Sequence, residues 1–74
     1  MDRKALDQAL LAAHSRQDKT ALVRLYMRAA EDREQADDTD AACFFLTQAF
    51  VFALEAGAAE ADALDQMLAA HGRV

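Results

Sequence analysis

Apolar residues recur along this chain at three- and four-residue steps, in four runs separated by short polar or glycine-bearing breaks. That spacing places side chains on one face of an α-helix, so the pattern predicts four helices. The first covers residues 2–15, with Leu6, Leu10 and Ala13 as its stripe and Asp2 positioned to cap it. The second covers residues 19–36, opened by Asp18, with Leu22, Leu25, Tyr26 and Ala29 repeating at helical steps. Beyond Ala30 it becomes polar through Glu31-Asp32-Arg33-Glu34-Gln35, an end expected to project into solvent or toward a partner. Arg28 and Asp32 stand one turn apart and are expected to pair. The fourth helix covers residues 59–70, with Leu64, Met67, Leu68 and His71 as its stripe and acids in its first turn.

The third helix, residues 39–56, breaks the amphipathic pattern. Asp38 or Thr39 starts it and Gly57 is suited to its C-terminal cap. Phe44, Phe45, Leu46, Phe50, Val51, Phe52 and Leu54 make it apolar around most of its circumference, as in a helix enclosed on several sides. Phe44, Phe45, Phe50 and Phe52 are therefore the candidate core or interface residues, and their excess argues for self-association. Thr47 and Gln48 interrupt the run. Either they are buried polar groups that need partners, Gln48 fixing register across a symmetric interface, or they occupy the one solvent-facing strip. We prefer the second reading.

Composition narrows the fold class to all-α. Of 74 residues, two are Gly, none is Pro and one is Cys, and the chain has no Ile and only six Val and Thr together. An all-β fold, a disulfide scaffold and a Pro/Gly-rich disordered segment each need residues that are missing here. Nineteen of the apolar residues are Ala, which leaves 21 larger side chains for a core. A chain of this length buries only about 60% of its unfolded surface, which makes a covering partner or a second copy expected.

Charge is uneven. Residues 1–36 hold seven bases and six acids, whereas residues 37–74 hold one base and seven acids, for a net −5 overall. Such a chain repels phosphate backbones, so no nucleic-acid partner is expected. Met1-Asp2-Arg3-Lys4-Ala5 has no apolar run behind its positive charges, so no secretory signal is expected. The apolar stretch from Ala41 to Ala56 is interrupted by polar residues and shorter than the roughly 20 residues a membrane span needs, so no membrane partner is expected either. The unpaired Cys43 fits a reducing, cytoplasmic setting. Six Arg against two Lys, with abundant Ala, suggest a GC-rich bacterial genome.

The raw material for catalysis or metal binding is sparse. His14 and His71 lie at helix ends and would need the first and fourth helices to meet before they could share a metal with Asp7 or Asp65. No His-x-x-x-His or Cys-x-x-Cys spacing supports that. Asp37-Asp38-Thr39-Asp40 lacks the Gly and Glu of a calcium loop, where Ala42 and Gln48 stand instead. We expect no enzyme activity, no metal and no cofactor.

Ala5-Leu6-Asp7-Gln8 recurs as Ala63-Leu64-Asp65-Gln66, and Leu11-Ala12-Ala13-His14 as Leu68-Ala69-Ala70-His71, with one residue fewer between them in the second copy. One residue is about 100° of helical rotation, so the two copies cannot present the same face throughout. Duplication and convergence both remain open, convergence being preferred.

In the centre, Ala42-x-x-x-Leu46-x-x-Ala49 resembles the second helix of a tetratricopeptide-type hairpin and Leu22-x-x-Leu25-Tyr26 its first. The resemblance spans Thr20 to Gly57 and lacks the family's terminal Pro and usual Gly. It implies a scaffold for protein–protein contacts; because one hairpin cannot form a free-standing solenoid, the first and last helices are expected to cap it in a compact four-helix array. The expected function is thus a small cytoplasmic interaction module with a protein partner, reached through Arg24, Tyr26 and Arg28 as a basic-aromatic strip. The alternatives are a self-assembling homodimer and a small-ligand or metal-binding helical domain that uses Gln48, His14 or His71.

Overall fold

Each of the first three helices begins at an aspartate whose carboxylate accepts a backbone N–H three residues on. Asp2 accepts from Ala5 at 2.7 Å, Asp18 from Ala21 at 3.1 Å and Asp38 from Ala41 at 3.2 Å. In the computed structural model, which describes residues 2–73, the helices are α1 (Arg3–Arg16), α2 (Lys19–Gln35), α3 (Thr39–Ala56) and α4 (Glu60–Ala70). No strand occurs among the described residues, and the protein is an all-α array of four helices. α4 alone lacks a side-chain cap and relies on Glu60 and Asp62 in its first turn.

All four helices end the same way. A residue in the left-handed region, Gln17, Asp37, Gly57 or Gly72, turns the chain. The next N–H then reaches back five residues, from Asp18 to Ala13, Asp38 to Arg33, Ala58 to Ala53 and Arg73 to Leu68, at 2.9 to 3.0 Å. This satisfies carbonyls that would otherwise be orphaned. Asp18 and Asp38 do double duty: the backbone closes one helix while the side chain opens the next. Connections of two or three residues result, and they force successive helices to lie antiparallel.

Helix order in the chain is helix order in space. α1 packs on α2, α2 on α3 and α3 on α4, while α1 approaches neither α3 nor α4 along the backbone and α2 does not approach α4. The array measures 32 × 29 × 13 Å. Its core joins Val23 and Ala30 of α2, Leu46, Ala49 and Ala53 of α3, and Leu64 and Leu68 of α4. α1 adds Leu6 and Ala13. Lys19 at the start of α2 meets Glu55 at the end of α3, at 3.3 Å.

α3 is central but is not enclosed. Its buried positions are Ala42, Cys43, Leu46, Ala49 and Ala53. Small side chains take the contact with α2, and the bulky ones are displaced to the flanks. None of the four Phe is fully buried: Phe45, Phe50 and Phe52 are half-buried and Phe44 is exposed, together with Val51 and Leu54. Over Thr39–Ala56 mean hydropathy is 1.3, enough by length and composition to cross a membrane, yet only 28% of that window is buried in this fold. Thr47 is exposed and Gln48 half-buried, so neither is an enclosed polar group. The Thr47 hydroxyl donates to the Cys43 carbonyl at 2.9 Å.

Two other expectations are refined. The polar end of α2 is exposed at Glu31, Glu34 and Gln35, while Asp32 and Arg33 are half-buried and line a pocket with α1 and α3. The repeated segments start alike, with Leu6 and Leu64 both buried, then diverge: Leu11 is 71% exposed where Leu68 is 3%. Ala13 is buried where Ala70 is exposed. The residue missing from the second copy rotates everything after it by about 100°.

Two stability measurements follow. Leu64→Ala empties a fully buried site shared by α2, α3 and α4 and is expected to cost about 3 kcal/mol in urea unfolding, against less than about 0.5 kcal/mol for Leu11→Ala. Gln17, at φ 55°, holds a left-handed position without glycine's freedom. Gln17→Gly is therefore expected to raise stability, by about 1 kcal/mol, whereas Gly57→Gln is expected to lower it.

Candidate functional site

Three stripes at helical spacing converge on a valley between α1 and α3, with α2 as its floor. α1 contributes Arg3, Leu6, Leu10 and His14, α2 contributes Tyr26, Ala29 and Arg33, and α3 contributes Ala41, Phe45 and Phe52. Each set advances by three, four or seven residues and so stays on one side of its helix.

Tyr26 organises one end of the valley. Its ring stacks on Phe52 at 6.0 Å and 5° and on Phe45 at 6.1 Å and 27°. His14 stands edge-on to Tyr26 at 5.9 Å and to Phe52 at 5.7 Å. Its Nε2 lies 2.9 Å from the Tyr26 hydroxyl, a hydrogen bond that ties α1 to α2. Phe44 extends the cluster through an edge contact with Phe45 at 5.5 Å. Offset and edge-on arrangements of this kind favour the rings beyond the area they bury.

The other end opens into a pocket of about 280 Å³. Leu6, Leu10, Ala29, Ala41 and Phe45 give it an apolar lining, and Arg3, Asp7, Asp32, Arg33 and Asp38 line it with charge. Asp32 is engaged by Arg28 at 3.4 Å and Asp38 by the N-terminus of α3. Arg3 and Arg33 have no ion-pair partner among the described residues. A smaller hollow of about 120 Å³ lies on the far side of α2, between Met27, Glu31, Glu34, Leu46 and Met67.

The residues singled out from sequence are distributed unequally. Tyr26 is in the valley, but Arg24 and Arg28 are exposed and do not line the pocket, Arg28 reaching only its rim through Asp32. Two residues are about 200° of helical rotation, so Arg24, Tyr26 and Arg28 do not form one strip. Phe45 and Phe52 line the valley, Phe44 stands at its lip, and Phe50 packs against the core. His14 and His71 share no site: His14 joins Tyr26, while His71 lies 3.9 Å from Glu34. No trio of metal-ligating side chains occurs among the described residues. Cys43 is buried.

Arg3, Leu10 and Arg33 were not among the candidate site residues, and Asp7, considered only as a metal ligand, lines the pocket instead. Their signal was the continuation of the Leu6 stripe to Arg3 and His14 along α1, together with the three-and-four-residue steps from Tyr26 to Arg33 along α2.

Chemically, the valley offers aromatic faces, aliphatic side chains and a rim of both charges, a set suited to holding another apolar side chain. Truncation separates the ring's contribution from its hydroxyl's. Tyr26→Phe, which removes one exposed hydrogen bond, is expected to change unfolding free energy by at most about 1 kcal/mol. Tyr26→Ala, which removes the ring that Phe45 and Phe52 pack on, is expected to cost about 2 kcal/mol or more by the same thermal or urea measurement. Against known proteins the chain stands without a match: no family model, no curated protein and no solved structure corresponds to it.

Proposed function

We propose that this chain is a helical protein-interaction module that receives an amphipathic segment of a partner protein in the valley between α1 and α3. The observation that carries the reading is the continuity of the valley's lining. The Tyr26 ring stacks on Phe52 and Phe45, and Phe45 in turn lines the pocket with Leu6 and Leu10. Aromatic side chains that are half-buried and pre-packed lose little freedom when a partner covers them, and such residues dominate binding at protein interfaces. The charges of both signs around the pocket set the orientation of an incoming segment more than its affinity. An apolar helix laid in a groove, with anchors every three or four residues, fits this geometry.

The resemblance of the α2–α3 hairpin to tetratricopeptide hairpins points the same way, since that family builds docking scaffolds. In this reading Tyr26 is a contact residue, and Arg24 and Arg28 lie outside the docking surface.

Affinity capture with three baits tests this. Wild type and Arg24→Glu, altered on the opposite side of α2, are expected to retain the same specific protein from a lysate of the cell that encodes the chain. Leu10→Glu, which places a charge in the valley, is expected to lose at least tenfold of it while keeping its helical circular dichroism. Retention that ignores Leu10→Glu, or that is lost with Arg24→Glu, rules out the valley as the docking surface.

A further inference from the structure

α3 presents a second apolar surface, which adjoins the valley only at Phe44. Phe44, Thr47, Val51 and Leu54 follow one another at steps of three, four and three residues, and all four are exposed. Phe44 and Leu54 each keep 58% of their surface and Val51 42%. At about 100° per residue they form one crest, turned away from the Ala42, Leu46, Ala49 and Ala53 face that packs in the core.

Three properties of this crest identify what covers it. The first is charge. The only charged residues of α3 are Asp40 and Glu55, one beyond each end of the stripe. Asp40 is bound by Arg73 at 2.7 Å and Glu55 by Lys19 at 3.3 Å. The crest is thus locally neutral on a chain of net charge −5. The net charge opposes an anionic lipid surface and a second copy alike, but the pairing of Asp40 and Glu55 removes the part of that repulsion nearest the crest. The second is satisfaction of polar groups. Thr47 is the one polar member of the stripe, and its hydroxyl already donates to the Cys43 carbonyl. Covering it leaves no donor stranded.

The third is symmetry. The spacing three-four-three reads the same in both directions. Turned end for end about the level of Ala49, Phe44 comes level with Leu54 and Thr47 with Val51. About a twofold axis at that level, each crest residue therefore meets another crest residue of the opposite copy. The same rotation brings the Asp40–Arg73 pair of one copy to within about 4.5 Å, in height along the helix, of the other copy's Glu55–Lys19 pair. Each end of the interface then holds two internally paired, near-neutral charge sets, so neither end opposes the approach.

We propose that the crest is covered by a second copy of this chain, with the two α3 helices antiparallel and their twofold axis level with Ala49. The three apolar side chains offer on the order of 300 Å² per copy, below the roughly 800 Å² per partner of a standard stable interface. The dimer is therefore weak and forms only at high protein concentration. The valley remains open in this arrangement, and the two surfaces stand or fall separately.

Sedimentation equilibrium from micromolar to about 1 mM protein tests it. Wild type and Arg24→Glu are expected to shift from monomer to dimer across that range, and Val51→Glu to remain monomeric with an unchanged thermal melt. A wild type that stays monomeric throughout, or a Val51→Glu dimer as tight as wild type, overturns the proposal. Register is read separately on a Cys43→Ala background. When Thr47→Cys and Val51→Cys proteins are mixed and oxidised, the mixed disulfide is expected to outpace both like-with-like disulfides. Predominance of like-with-like disulfides overturns the axis at Ala49.

Discussion

The close approach of α2 and α3 governs the rest of the molecule. Ala30, Ala42, Ala49 and Ala53 are buried to within 1% between or beside these helices. Alanine has no side-chain freedom to lose, so burying it carries almost none of the conformational cost that a larger residue brings. Its small size also lets two backbones come near enough for many weak dispersion contacts to accumulate. Val23 and Leu46 fill the remaining space, and Leu64 and Leu68 of α4 close it from one side. A contact made this way has no room for a phenylalanine. The aromatic residues of α3 are consequently pushed outward, Phe45 and Phe52 toward α1 and Phe44 onto the crest with Val51 and Leu54. The exposed apolar surfaces of this protein follow from how its core is built.

The outer helices depend on that central pair without depending on each other. α1 rests on α2 through Leu6 and Ala13 and is tied to it by the hydrogen bond between His14 and Tyr26. α4 rests on α3 through Leu64 and Leu68, and Arg73, just past its end, is bound to Asp40. Each outer helix has one neighbour, so each opens at lower cost than the hairpin between them. α1 is one wall of the valley, and its hold on α2 therefore sets the valley's width. The sharp connectors at Gln17–Asp18 and Ala36–Asp38 limit how far the walls can splay.

Helix boundaries were legible in the sequence because they are written in local chemistry. Asp2, Asp18 and Asp38 sit where a carboxylate reaches the first free N–H groups, and Gly57 where only a left-handed residue turns the chain; the structure places each in that role. The inward face of α3 was harder to read. Almost every position there is apolar, so periodicity gives little phase, and bulk suggested that the Phe residues would be buried. The decisive signal was residue size: Ala42, Leu46, Ala49 and Ala53 recur at steps of four, three and four. Grouping Arg24 with Tyr26 on one strip ignored the helical rotation between them. The contact of His14 with Tyr26 joins two helices across a connector, and no single-helix pattern encodes it.

The central claim is that the alanine-lined α2–α3 contact is the most stable part of the fold and that the outer helices are attached to it. Native-state amide hydrogen exchange, resolved residue by residue, tests this most directly. The slowest amides, those that exchange only on global unfolding, are predicted to lie between Leu22 and Ala30 and between Ala42 and Ala53, with α1 exchanging faster through local opening. Protection as high in α1 as in α3, or slow amides concentrated in the outer helices, would contradict it.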